Sequence, residues 1–134
     1  MEDLTAQAAR TVIDAVVAEA TQIGVTSNVA VVDGGGNLKA FVRMDGALLG
    51  SIDVALRKAR TAQLFQMSTE DLGPLTVPGA DLASLELTNG GLITFGGGTP
   101  LRAPDGSVIG AVGVSGSSVE NDTFLAHAGA KSST

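Results

Sequence analysis

Residues 29–65 read VAVVDGGGNLKAFVRMDGALLGSIDVALRKARTAQLF, and no other stretch narrows the choice of fold as much. Val29 to Asp33 and Leu38 to Arg43 are short apolar runs with Gly34-Gly35-Gly36 between them. Two such runs around a glycine turn predict a hairpin, hence antiparallel pairing. After the corner Arg43-Met44-Asp45-Gly46, the apolar spacing lengthens to that of a helix. Leu48 to Met67 is therefore read as a long amphipathic helix. A hairpin with one apolar face, followed at once by such a helix, calls for the helix to lie on the sheet.

The phase of that helix isolates one residue. At about 100° per residue, Leu48, Ile52, Ala55, Ala59 and Ala62 share an arc, flanked by Val54 and Phe65. Lys58 and Ser51 fall inside the apolar side, whereas Asp53, Arg57 and Arg60 fall opposite and read as solvated charges. An inward cation needs a partner or a ligand, because an unpaired buried charge is costly. Three readings of Lys58 stand at this point: snorkelling from the stripe, pairing across a subunit interface, or facing a ligand.

The rest of the chain alternates in the same style. Asp3 is read as the cap of a helix from Leu4 to Ile23, stopped by Gly24. Ser68 to Leu72 starts a short turn, Ala80 to Leu85 a short helix, and Leu92 to Phe95 a strand broken by Gly96-Gly97-Gly98. Leu101 to Ala103 and Val108 to Val114 flank Pro104-Asp105-Gly106, a second hairpin signal. Ser117-x-x-Glu120 is a capping box for a helix to Ala128, ended by Gly129. The order is α-ββ-α-(α)-β-ββ-α, which predicts an α+β domain with an antiparallel sheet.

Composition excludes several functions. The 134 residues suit one domain, and the net charge of −6 leaves no basic stripe for nucleic acid or an anionic membrane. No cysteine is present, so disulfides, thiolate catalysis and cysteine metal sites are out. Charged residues are only 16%, which favours covering surface by self-association. The N-terminus is acidic (Glu2, Asp3) and no run of 18 apolar residues exists, so neither signal peptide nor membrane span is expected. The expected location is cytoplasmic.

No metal site is expected. Gly110-x-x-Gly113-x-x-Gly116 has the wrong spacing for a dinucleotide fingerprint; it reads either as an anion-holding turn before a helix or as a tight turn. His127, the only histidine, is placed in the last turn of the C-terminal helix, where the dipole favours a cation. Met44 and Met67 are read as packing residues. Asp33 and Asp45 stand at strand ends, as turn caps or as a general base.

Taken together, VAVVD-x-x-G-x-L, R-M-D-G-A, A-x-x-K-A-x-T-A-x-x-F, GG-x-P-L and I-G-A-V-G-V-S-G resemble the GlcG/HbpS-like family of haem-binding and haem-degrading domains. They are also similar to the C-terminal domain of PduO-type proteins. The resemblance runs from about Leu4 to Ala130. It implies a profilin-like sandwich, with about five antiparallel strands and helices on both sides. It further implies homo-oligomers, commonly dimers assembled into octamers, and in some members haem. The residues it marks are Arg43, Asp45, Ser51, Lys58, Thr61, Gly97, Gly113 and Gly116. The expected function is an oligomeric domain binding a small, partly apolar, anionic ligand, with haem the first candidate. Its pocket is expected between the Arg43–Asp45 corner, Lys58 and the Gly96–Pro100 turn. Two alternatives stand beside it. One is an isomerase, lyase or hydrolase of a small metabolite using Lys58 with Asp45 or Asp33. The other is a scaffold without ligand.

Overall fold

The computed structural model describes residues 3–133. Its elements are helix α1 (Ala6–Gln22), strands β1 (Asn28–Asp33) and β2 (Leu38–Arg43), helix α2 (Gly50–Phe65), the single turn α3 (Thr69–Leu72), strands β3 (Gly98–Arg102) and β4 (Val108–Ser115), and helix α4 (Val119–Lys131). The two hairpins join edge to edge through β1 and β4, giving one antiparallel sheet of order β2-β1-β4-β3. Helices cover both faces, as the α+β reading requires.

Alternation along β1 divides the core. Val29 and Val31 join Val112, Val114 and Leu101 against α1 and α4. Ala30 and Val32 join Ala111 against Ala55, Ala59 and Ala62 of α2. The alanine face of α2 lets its backbone come very near the sheet. A Cβ on Gly113 would stand 2.1 Å from the Ala55 carbonyl oxygen. Gly129 plays the same part between α4 and α1: a Cβ there would meet Val16 Cγ2 at 2.6 Å.

Several boundaries differ from the sequence reading. The α1 cap is Thr5, whose side chain accepts from Ala8 N, and not Asp3. Gly129 does not end α4; it is a buried close-approach residue and the helix continues to Lys131. The α4 cap is Ser118, accepting from Asn121 N, one residue after the expected Ser117. Residues 92–95 form no strand: Ile93 N donates to Thr61 Oγ1 on α2 instead of to a neighbouring strand. The sheet has four strands, in keeping with the expected antiparallel sheet of about five. No helix spans 80–85 either; a short 3-10 turn occupies Leu85–Leu87.

The long segment from Gly73 to Gly97 is held onto α2 by charges that looked idle. Arg57 pairs with Asp53 and donates to the carbonyl oxygens of Gly90 and Gly91. Arg60 donates to Asn89 O at 2.8 Å. The face of α2 opposite the sheet is therefore not simply solvated. It carries the anchors of a 25-residue connection (residues 73–97) with little structure of its own.

Candidate functional site

Lys58 is completely buried, and its partners lie within the same chain. The Nζ donates to Val114 O at 2.8 Å and to Asp122 Oδ2 at 3.3 Å, and it lies 5.0 Å from the centroid of the Phe95 ring. Asp122, in the first turns of α4, is nearly buried as well, and its Oδ1 accepts from Ser117 N. The lysine thus crosses from α2, past the end of the sheet, to the turn that starts α4.

The glycine run explains how it can. A Cβ on Gly97 would come within 2.6 Å of the Lys58 Nζ, and one on Gly98 within 2.4 Å of the Lys58 carbonyl oxygen. Gly97 has φ +126°, a conformation that side chains strongly disfavour. Gly97 is the gap past which the Lys58 side chain reaches its partners, and Gly98 lets the α2 backbone lie close beside it. Burial pushes the Lys58 ammonium below its ordinary 10.5, and the Asp122 carboxylate opposes that shift only in part.

Lys58 therefore does not present its charge to a pocket, and the expectation that it holds a ligand carboxylate or contacts a substrate as a base has no geometric support. The companion candidates divide in the same way. Thr61 is buried, donates to Arg57 O at 2.7 Å and accepts from Ile93 N at 3.1 Å, so it ties the long connection to α2. Gly113 is a packing glycine under α2, and Gly116, at φ +146°, passes the backbone of Thr26 and Ser27. Asp33 accepts from Gly35 N and Asn37 N; these bonds hold its carboxyl below 3.8, as befits a turn cap rather than a base. It stands at the far end of β1 from Asn28, about 17 Å away along the strand.

Arg43, Asp45 and Ser51 form a separate corner. Arg43 pairs across the sheet with Asn28, which in turn pairs with Ser115. The buried Asn28 donates from Nδ2 to Leu48 O at 2.9 Å, fastening the chain just before α2. Arg43 and Asp45 are exposed there and Ser51 is half-buried.

A broad concavity lies elsewhere, above Phe95. It is an open cleft of about 740 Å³ between α3 and the long connection. Pro74, Val77 and Phe95 supply its apolar surface, and Glu70, Glu86 and Thr94 its polar groups. Glu70 Oε2 accepts from His127 Nε2 of α4. Glu70 Oε1 and Glu86 Oε2 are buried oxygens with no hydrogen-bond partner. His127 thus braces the carboxylate that lines the cleft. The cleft touches the Lys58 site at one residue, since Phe95 forms its wall and covers the ammonium.

None of Glu70, Glu86, Phe95, Asp122 or His127 was marked together by spacing. They come from three parts of the chain, α3, the 73–97 connection and α4, and only the topology unites them. The one local clue was the inward phase of Lys58, which demanded a carboxylate somewhere.

The fold is that of a small α+β domain with an open cleft, and comparison with known proteins makes the class specific. The family described as haem degrading protein HbpS-like matches residues 4–131, and the chain belongs to that family. A 15.0 kDa protein encoded between dhaT and dhaS in Citrobacter freundii is 44% identical over 124 residues, covering 92% of this chain and 87% of that one. The corrinoid adenosyltransferase PduO of Salmonella typhimurium is 42% identical over 113 residues; the match covers 84% of this chain but only 33% of PduO. Among solved structures, ORFY of Klebsiella pneumoniae superposes with a TM-score of 0.96 at 40% identity, covering 99% of this chain and 92% of that one. PduOC in complex with haem superposes at 0.91 with 36% identity, covering 98% and 95% respectively.

Proposed function

We propose that this chain binds haem, or a planar, partly apolar ligand like it, in the open cleft beside Phe95. The observation that carries the reading is the likeness to PduOC, a protein solved with haem, over nearly the whole of both chains. The cleft supports it chemically. Phe95, Val77 and Pro74 offer a surface against which a flat macrocycle can lie. Glu70 Oε1 is an unpartnered buried carboxylate oxygen whose partner oxygen is fixed by His127, so the carboxylate is oriented before any ligand arrives. Such an oxygen suits a cationic centre or a hydrogen-bond donor. No basic side chain lines the cleft, so the ligand's own carboxylates would stay in water at its open side. Phe95, Val77 and Pro74 would hold the ring, and Glu70 would supply a carboxylate oxygen from the cleft wall. Haem supplies iron redox and ligand-binding chemistry when bound.

The domain works, in this reading, as an even-numbered homo-oligomer, dimers pairing into an octamer or a similar assembly. Leu48, Leu49 and Leu87 are each more than 60% exposed, which an assembly would cover. Hemin titration tests the ligand reading: a shifted Soret band saturating near one hemin per chain supports it, and an unshifted band refutes it. Light scattering tests the assembly; a mass near 13.3 kDa at micromolar concentration refutes it.

A further inference from the structure

The cleft wall and the buried ion pair meet at one aromatic ring. Phe95 is 45% exposed and belongs to a connection with almost no regular structure. Packing alone holds such a ring loosely. Directly behind it, 5.0 Å from the ring centroid, lies the Lys58 ammonium, a cation facing the negative side of the π system. That ammonium is itself fixed at three points: the α2 backbone that bears it, the Val114 carbonyl and the Asp122 carboxylate. Gly97 leaves room for this side chain, and Gly98 lets the α2 backbone that bears it come close.

Building all this for stability alone is uneconomical, because an apolar residue of similar volume usually serves a core as well as a buried ion pair does. We propose that Lys58 is a positioning residue for the cleft: its charge, anchored by Asp122, sets the plane of the Phe95 ring against which the ligand stacks. The inference rests on the cleft being the ligand site. Lys58 touches no ligand and acts only through the ring.

The sequence provides a clean probe, since it contains no tryptophan and no tyrosine. Phe95→Trp introduces a single emitter at the ring position. Time-resolved anisotropy then reports its local motion in the ligand-free protein. The comparison is between Lys58–Asp122 intact and the double change Lys58→Met/Asp122→Asn, which removes both charges at nearly constant volume. The expected result is a restricted indole with the pair and a clearly larger amplitude of local motion without it. An indole equally restricted in both would overturn the proposal.

Hemin affinity gives the second readout. Lys58→Met/Asp122→Asn should weaken binding about three- to tenfold, the scale of one cation–π contact. In a Phe95→Leu background the same double change should have no further effect. Additive losses would mean that Lys58 acts by some route other than the ring, and would overturn the proposal. If the double variant does not fold, replacing Phe95 by pentafluorophenylalanine keeps an aromatic face, nearly the same volume and the ion pair but reverses the ring quadrupole that the ammonium faces. Weaker hemin binding there supports the proposal, and unchanged binding overturns it. Should the unaltered protein fail to bind hemin, the ligand reading falls, while the anisotropy comparison still decides the role of Lys58.

Discussion

Replacing Lys58 alone by methionine should be among the most damaging single changes available in this chain. Lys58 is wholly buried and the Asp122 side chain is only 4% exposed. Lys58→Met keeps most of the volume but leaves the Asp122 carboxylate in the interior with a single remaining donor, Ser117 N. Stranding one partner of a buried pair costs roughly 3–5 kcal/mol. For a domain of this size 1 kcal/mol moves the melting temperature by roughly 3–5 °C, so a fall of about 10–20 °C is expected. Lys58→Met/Asp122→Asn should recover most of it, because no charge is left unpaired. The pair also leaves a mark in pH. The folded Lys58 sits below 10.5, so between its folded value and 10.5 the unfolded chain holds more protons, and this group's contribution to stability rises with pH in that window. The double variant should lack that alkaline rise. Differential scanning calorimetry across pH settles the matter. A Lys58→Met protein melting within about 2 °C of the parent would refute the buried-pair reasoning.

Other changes probe the frame around the site. Arg57→Ala releases the Gly90 and Gly91 carbonyls, so limited proteolysis should cut within 77–91 several-fold faster while the melting temperature moves little. Gly113→Ala places a methyl 2.1 Å from Ala55 O and should cost about 3 kcal/mol or more by urea unfolding, where an exposed glycine such as Gly50 should tolerate alanine. Asp33→Ala removes the acceptor for Gly35 N and Asn37 N. Its contribution, fully present above 3.8 and lost as pH falls through the lower folded value, should disappear from the acid limb of the stability profile.

Most of the architecture was legible because it is written locally. Both hairpins announce themselves through glycine turns between apolar runs, and α2 through its alanine stripe. The inward phase of Lys58 was likewise a local signal, and the structure bears out that it is buried. What the signal could not give was the partner, since Asp122 lies 64 residues onward and is indistinguishable by spacing from any helix-start aspartate. The same limit explains Arg57 and Arg60. A helical wheel shows which side they leave from, not that the 73–97 connection folds back onto that side. Leu92 to Phe95 misled because a short apolar run bounded by glycines fits a strand and a tethered loop equally well. Gly129 misled because a glycine that lets two helices touch looks the same as one that ends a helix. The cleft was invisible for a further reason: its walls come from α3, the long connection and the residue before a glycine slot, and no period links them.

Energy transfer to hemin measures the central claim, that a haem-type ligand occupies the cleft beside Phe95. In a chain without other tryptophan or tyrosine, the emission of Phe95→Trp arises from the cleft wall alone. Titration with hemin should quench that emission almost completely, saturating together with the shifted Soret band at one hemin per chain. A Soret shift that saturates with the same band and the same affinity in Phe95→Ala as in the unaltered protein would place the ligand elsewhere on the molecule and contradict the account.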